Sequence, residues 1–463
     1  MGRLSLPIPC VWCAPVTKQL TLRMTSPRPP GKLAHWKTTG PGLVVIALPI
    51  LIWLIRPIIP ALGTALDFDS GGAVFAKSRL LFSYETIGGE HHSQPAIRNV
   101  QLLDLDNDSQ LDILACDARL HEVLLYQRTT AGSWEGSLIA DRVVAPANAT
   151  VVDLDTDGDP DLVVSALGDL YPSEWFPGRL TWIEQAAAGV VHHVLMDNVR
   201  RIADAQPGDF DGDGDIDLVV AVSGFTHGRI LWLENQGDQS FVEHELYVGP
   251  GATQVLVSDY DGDGDPDFAA AVLRQEGQVF GFENTGGGKF KRHTLFSTLN
   301  HDLRTGGLVR ADMDNDGDDD LLLPVGGNPE DPFSGPQPYH GCWLLENQLD
   351  WKFENRRIAE FAGTCAAATG DLDADGDRDV VLVSMTNDWH RTDTASIIWL
   401  EQDGAFNFTP WQIASSPTHL FTVACGDLNG DGRDDIVAGG MHLSGPFNRT
   451  GRISAWMSRT VDE

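Results

Sequence analysis

The sequence predicts an all-β fold, a seven-bladed β-propeller with four-stranded blades, on three observations. An acidic nonapeptide recurs seven times, strand-like runs flank each copy, and the two ends carry half-repeats that complete one another. The nonapeptides are DLDNDSQLD from Asp104, DLDTDGDPD from Asp153, DFDGDGDID from Asp209, DYDGDGDPD from Asp259, DMDNDGDDD from Asp312, DLDADGDRD from Asp371 and DLNGDGRDD from Asp427. Successive copies start 49, 56, 50, 53, 59 and 56 residues apart. That period suits propeller blades, whereas coils of parallel strands repeat nearer roughly 20 to 30 residues.

An apolar run leads into each nonapeptide, as in QVLVSDY, and another leads out, as in DLVVAV, so the acidic stretch is the turn of a β-hairpin. A third strand follows (LTWIEQ, ILWLENQG, VFGFENTG, WLLENQ, IIWLEQDG), and after a turn a fourth (FVEHELY, FKRHTLF, FENRRIA, FTPWQIA). After the seventh nonapeptide only two strands remain, ending in GRISAWMSR, while RLLFSYETI from Arg79 stands alone before the first. The N-terminal strand therefore completes the last blade and leaves no open sheet edge at the seam. The propeller is expected over residues 79–459.

Composition agrees. Forty-eight glycines suit short strands joined by tight turns. Residues 1–63 hold seven Lys/Arg and no acid, so the remainder carries 66 acids against 25 bases, a formal charge of −41. Such a surface repels nucleic acid and invites cations. Cys10 and Cys13 form an isolated Cys-x-x-Cys in a Pro-rich tail, which carries no zinc or redox assignment by itself; Cys116, Cys342, Cys365 and Cys425 have spacings that fix no pairing.

Residues 1–41 read as a basic, Pro-rich cytoplasmic tail, with Met24 a second candidate start. Residues 42–66, with the apolar run GLVVIALPILIWLI, read as a signal peptide or membrane anchor, which places the acidic bulk outside the cytoplasm, secreted, periplasmic or tethered.

The nonapeptides follow D-x-D-x-D-G-x-x-D. Side-chain oxygens at positions 1, 3 and 5, a backbone carbonyl at 7 and a carboxylate at 9 surround one point, with glycine at 6 for the bend; oxygen ligands at this density select Ca²⁺. The expected ligands are Asp104, Asp106, Asp108 and Asp112; Asp153, Asp155, Asp157 and Asp161; Asp209, Asp211, Asp213 and Asp217; Asp259, Asp261, Asp263 and Asp267; Asp312, Asp314, Asp316 and Asp320; Asp371, Asp373, Asp375 and Asp379; and Asp427, Asn429, Asp431 and Asp435. Up to seven ions are expected. The first loop departs from the pattern, with Ser109 at the glycine position, and the seventh carries Asn429 at position 3. The seven nonapeptides hold 34 of the 66 acids, a density that repels itself unless cations compensate.

The D-x-D-x-D-G-x-x-D loops and W-x-E-N strand ends resemble the FG-GAP and VCBS-type repeat family, known from the propellers of integrin α subunits; the leader and strand ends resemble its exported bacterial members. The resemblance implies adhesion, carbohydrate binding or a scaffold for enzymes such as polysaccharide lyases.

On the face opposite the acidic hairpins, the longer connections carry Trp175, Arg201, His227, His340, Trp389, His419 and His442, an expected rim for a glycan or protein ligand, with aromatic faces for sugar rings and Arg for carboxylates. The leading expectation is a binding or adhesion module at the cell surface. The alternative is a polysaccharide lyase, in which His301 with Arg304, or His390 with Arg391, would abstract a proton α to a neutralised uronate carboxylate. Hydrolase, NTPase, metalloprotease and dehydrogenase fingerprints are absent from the sequence.

Overall fold

The computed structural model describes residues 74–88, 94–170, 175, 177–186, 189–224, 226–273, 277–299, 307–326, 335–404, 406–442 and 448–459. The expected tail (1–41) and leader (42–66) lie outside these residues. Among the described residues the regular elements are all strands, and no helix is long and apolar enough to cross a membrane.

Seven sheets form the ring. In the third blade, Ile202–Gly208, Asp217–Val222, Arg229–Asn235 and Phe241–Val248 lie side by side in chain order, each antiparallel to the next. The blades that begin with Ile97–Leu103, Pro146–Val152, Ala252–Ser258, Val309–Ala311 and Thr364–Gly370 repeat this order. The second strand of every blade is six residues long and buried throughout, because it has a strand on each side and a neighbouring blade on each face. Alternation then assigns the faces. Leu218, Val220 and Val222 pack toward the second blade, while Val219 and Ala221 pack toward Phe268, Ala270 and Phe280 of the fourth.

Closure of the ring follows the sequence expectation. Leu81–Ile87 pairs antiparallel with Ile453–Arg459 along its whole length, completing the seventh blade begun by Leu420–Gly426 and Asp435–Gly440. Beyond that expectation, Ala76–Lys77 adds in parallel to Phe408–Ala414, so the segment preceding the closing strand also ties down the sixth blade. At the seam, the buried pair Arg452 and Asp117 (Nε to Oδ2, 3.0 Å) links the last blade to the first, and Arg128 Nη1 donates to Leu428 O at 3.1 Å.

The innermost strands are joined by polar side chains. Asp204 accepts from Asn148 Nδ2 of the second blade at 2.6 Å, from Gln206 Nε2 at 3.1 Å and from the Val255 N–H of the fourth at 3.1 Å. Burial pushes this carboxyl up to about 6 against those stabilising donors.

Candidate functional site

Each nonapeptide joins the first strand of its blade to the second, and all seven fold alike. The position 6 N–H donates to Oδ2 of position 1 in every copy, at 2.8 to 3.1 Å. The position 7 N–H donates to Oδ1 of position 5 in every copy, again at 2.8 to 3.1 Å. Two positions are left-handed. Position 6 spans φ from 70° at Ser109 to 99° at Gly317, so the serine of the first loop takes the conformation that glycine takes elsewhere. Position 4 is left-handed too, yet holds Asn107, Thr156, Gly212, Gly262, Asn315, Ala374 and Gly430, a mixture that hid the requirement from sequence reading.

Position 9 does more than close a ligand shell. It is the first residue of the buried second strand, and its two oxygens tie the loop to the sheet. In the third blade Asp217 Oδ2 accepts the Phe210 N–H at 3.2 Å and Oδ1 accepts the Asn235 N–H at 2.7 Å. Asp161, Asp267, Asp320, Asp379 and Asp435 repeat both bonds, to position 2 and to the end of the third strand. The Asn or Gln of the W-x-E-N strand end reaches the preceding blade's loop. Asn284 Nδ2 donates to Phe210 O, Asn347 Nδ2 to Tyr260 O and Gln402 Nε2 to Met313 O, at 2.9, 3.0 and 3.1 Å.

The loops hold their carboxylates close together. Atoms of Asp104, Asp106 and Asp108 lie within 4.8 Å of one another, as do those of Asp153, Asp155 and Asp161, Asp209, Asp211 and Asp213, Asp259, Asp261 and Asp263, and Asp312, Asp314 and Asp316. Burial, and then neighbouring carboxylates, push Asp217 up to about 6 and Asp267, Asp320, Asp379 and Asp435 up to about 7. Two buried oxygens at ligand positions, Oδ1 of Asp153 and Oδ1 of Asp373, have no hydrogen-bond partner among the described residues. A buried carboxylate oxygen is costly to leave unpaired, and the donor set around it is all oxygen, of the kind hard cations take.

Groups outside the loops hold the position 3 carboxylates. Gln127 Nε2 donates to Asp106 Oδ2 at 2.9 Å, Trp351 Nε1 to Asp261 Oδ2 at 3.0 Å, and Arg79 Nη2 to Asp373 Oδ2 at 3.1 Å. The glutamate of W-x-E-N faces the fourth-strand histidine. His193 meets Glu184, His244 meets Glu234 and His293 meets Glu283, Nε2 to Oε2 at 2.5, 2.5 and 2.6 Å.

The opposite face differs from the sequence expectation. Trp389, His340, His419 and His442 do not present their side chains on a rim; they are 7, 4, 5 and 0% exposed. The connections fold inward there and bury an apolar cluster that includes Ala96, Ala145, Cys365, Met385, Phe421 and Met441. Trp389 Nε1 donates to Met385 O, and its ring lies 5.6 Å from that of His419, which is 4.8 Å from His442. Burial lowers His419 to about 4 and, with His419 beside it, His442 to about 3, so neither carries charge near neutral pH. His340 Nδ1 accepts the Gly363 N–H at 3.0 Å. Arg449, which sequence reading passed over, binds Trp389 O at 2.7 Å and Ser415 O at 3.0 Å and so pins this side of the ring.

Trp175, at 79%, together with His227 and His390, is exposed, while Arg201 is half-buried. Arg391 pairs with Asp393 at 3.1 Å, beside a small cavity of about 50 Å³ shared with Asn387, Asp388 and Thr394. His301 and Arg304 lie outside the described residues. A larger groove, about 840 Å³, opens at the ring seam between Tyr84, Glu85, Glu122, Tyr126, Trp134 and Arg452, a place the motifs did not indicate. The four cysteines in the described region are all free.

A family model described as the FG-GAP-like repeat matches residues 104–164, 209–270, 259–323 and 343–438. No curated protein matches the chain. Among solved structures, the chain is similar to one in a crystal structure of BBS1N in complex with ARL6DN, soaked with lead, at 11% identity and a TM-score of 0.51, covering 83% of this chain and 99% of that one. A mercury-soaked crystal of the same complex gives 12% identity and a TM-score of 0.50 over the same shares.

Proposed function

The chain belongs to the FG-GAP-like repeat family, and from that premise we propose that it is a calcium-stabilised binding module, exported from the cytoplasm, whose ring presents loops to a protein or glycan. The observation that carries the calcium reading is the pair of orphaned buried oxygens, Asp153 Oδ1 and Asp373 Oδ1, inside loops with an all-oxygen donor set. A divalent cation offsets the repulsion among the four to six carboxylates of each loop and releases the protons that burial otherwise retains on position 9. The residues that would hold it are those at positions 1, 3 and 5, with position 9 supporting them from the strand. The first loop joins the set, since Ser109 keeps the loop conformation.

The binding role rests on the exposed side chains of the opposite connections. A tryptophan as exposed as Trp175 gives an aromatic face to a partner, and His227 and His390 flank other connections on that side. The similar solved chain comes from a protein complex, which favours a protein over a glycan as the partner. Arg391 is paired with Asp393, which makes it a weaker partner for a uronate carboxylate than the lyase reading of His390 and Arg391 needs. Calorimetric titration of calcium into the purified chain tests the metal reading. Several sites per chain with affinities of roughly 10⁻⁴ to 10⁻³ M or tighter, in the range of extracellular modules, are expected; no heat of binding at millimolar calcium would overturn it.

A further inference from the structure

In the second and third blades the third-strand tryptophan does two things. Trp182 stacks on His193 at 4.3 Å and donates to Asp161 at 2.8 Å; Trp232 stacks on His244 at 4.5 Å and donates to Asp217 at 3.0 Å. In the fourth blade the residue paired with the equivalent His293 is Gly281. The missing indole comes from the next blade. Trp351, in the turn between the third and fourth strands of the fifth blade, stacks on His293 at 4.8 Å with the rings 8° from parallel, and a Cβ on Gly281 would lie 2.2 Å from it. Its Nε1 no longer reaches position 9 but donates to Asp261, at position 3 of the fourth loop.

The backbone that delivers this indole is strained. Leu349, Asp350 and Trp351 are successive left-handed residues, with φ of 58°, 49° and 60°. The matching turn of the fourth blade has the same closing bond, Thr285 N to Lys289 O against Gln348 N to Lys352 O, both 2.8 Å, and fills those positions with Gly286, Gly287 and Gly288. Glycine is the unstrained choice at all three. A sequence that instead keeps Leu-Asp-Trp in this conformation sustains the strain for what the indole touches.

We infer that Trp351 is a positioning residue for the fourth acidic loop, holding Asp261 Oδ2 from the neighbouring blade so that the loop is preset for its cation; the inference rests on the calcium reading above. The donor is neutral, so it orients the carboxylate without setting a like charge beside the metal, unlike Arg79 at Asp373. It also joins the fourth loop to the fifth blade.

The test titrates calcium into the full chain and into Trp351→Phe and Trp351→Gly, by calorimetry and by tryptophan fluorescence. The phenylalanine keeps a ring against His293 and removes only the N–H. One site is expected to weaken by about 10- to 100-fold, the effect of losing an outer hydrogen bond to a metal ligand, with the remaining sites unchanged. The share of the calcium-dependent fluorescence change contributed by Trp351, one of 13 tryptophans, disappears with it. Trp351→Gly relaxes the turn and is expected to show the same weakening. Unchanged affinities in both variants, with the wild-type sites filled, overturn this inference and leave the calcium reading standing. A wild-type chain that binds no calcium overturns both.

Discussion

On one face of the ring every blade ends in the same nine-residue turn, with the same two hydrogen bonds and the same pair of left-handed residues. On the other face much of the chemistry of the described connections turns inward. Trp389, His419 and His442 pack together over the inner strands, and His340 caps a neighbouring backbone. The repeated face keeps its charged groups close together near the surface, with the position 9 carboxylates buried and Oδ1 of Asp153 and of Asp373 covered as well. The variable face buries His419 and His442 in the neutral state and exposes single residues such as Trp175, His227 and His390. Charge placed where it repels itself calls for a ligand; neutral rings placed in a core do not. The acidic turns are therefore the side poised for a cation, and the buried Trp389, His340, His419 and His442 of the other face belong to its closure.

The largest expected effect tests the ring on which both faces depend. Deleting residues 74–88 removes the closing strand and the short Ala76–Lys77 strand that adds to the sixth blade, and takes Leu80 and Phe82 away from the cluster that holds Ile436 and Trp456. Loss of a cooperative melting transition is expected. A truncated chain that melts like the full one would mean that the seventh blade closes in some other way.

Two substitutions in the fourth loop separate its structural carboxylate from its ligands. Asp267→Ala leaves the N–H groups of Tyr260 and Asn284 without their acceptor and should cost about 2 to 4 kcal/mol with or without calcium. Asp263→Ala, at position 5, should cost only about 1 to 2 kcal/mol, most of it seen only when calcium is present, since it also frees the Asp265 N–H of the exposed turn. Denaturant melts in calcium and in chelator distinguish them, and equal calcium dependence of the two would erase the distinction between position 9 and the rest.

The pH dependence has a definite sign. Position 9 carboxyls titrate near about 4 in the unfolded chain, but Asp217 is raised to about 6 and Asp267, Asp320, Asp379 and Asp435 to about 7 in the folded, calcium-free state. Between those values the folded state binds more protons. Its stability is then full below about pH 4 as far as these groups are concerned, and is lost as pH rises through 6 to 7. On the calcium reading proposed above the ion replaces these protons, so its stabilising increment should be larger at pH 7.5 than at pH 5.5 in paired melts. An increment that grows on acidification would contradict the assignment.

The variable face supplies the smallest effects. Trp389→Phe removes the bond to Met385 O and should cost about 1 kcal/mol, while His390→Ala, on the exposed surface, should change stability by less than about 0.5 kcal/mol. A larger loss at His390 by chemical denaturation would show that this connection is built into the core after all.

What could be read from the sequence follows the same division. Position 6 announced itself through six glycines, and the closing strand through its unpaired alternation, because both requirements are local and repeated. The second role of Asp217 and its equivalents stayed hidden, since a carboxylate that caps two backbone N–H groups looks in sequence like any other ligand. Trp351 and Asp261 lie 90 residues apart and meet only because adjacent blades do. His340, His419 and His442 read in sequence as rim residues because their connections are long and polar, yet burial depends on how those connections fold over the inner strands, which no spacing encodes.

The central claim, that the acidic turns hold calcium and that the ring depends on it, is tested most directly by thermal melting of the full chain in millimolar calcium and in excess chelator. The account predicts a melting temperature many degrees lower in chelator, restored when calcium is added back beyond the chelator. Superimposable melting curves in the two conditions would contradict it.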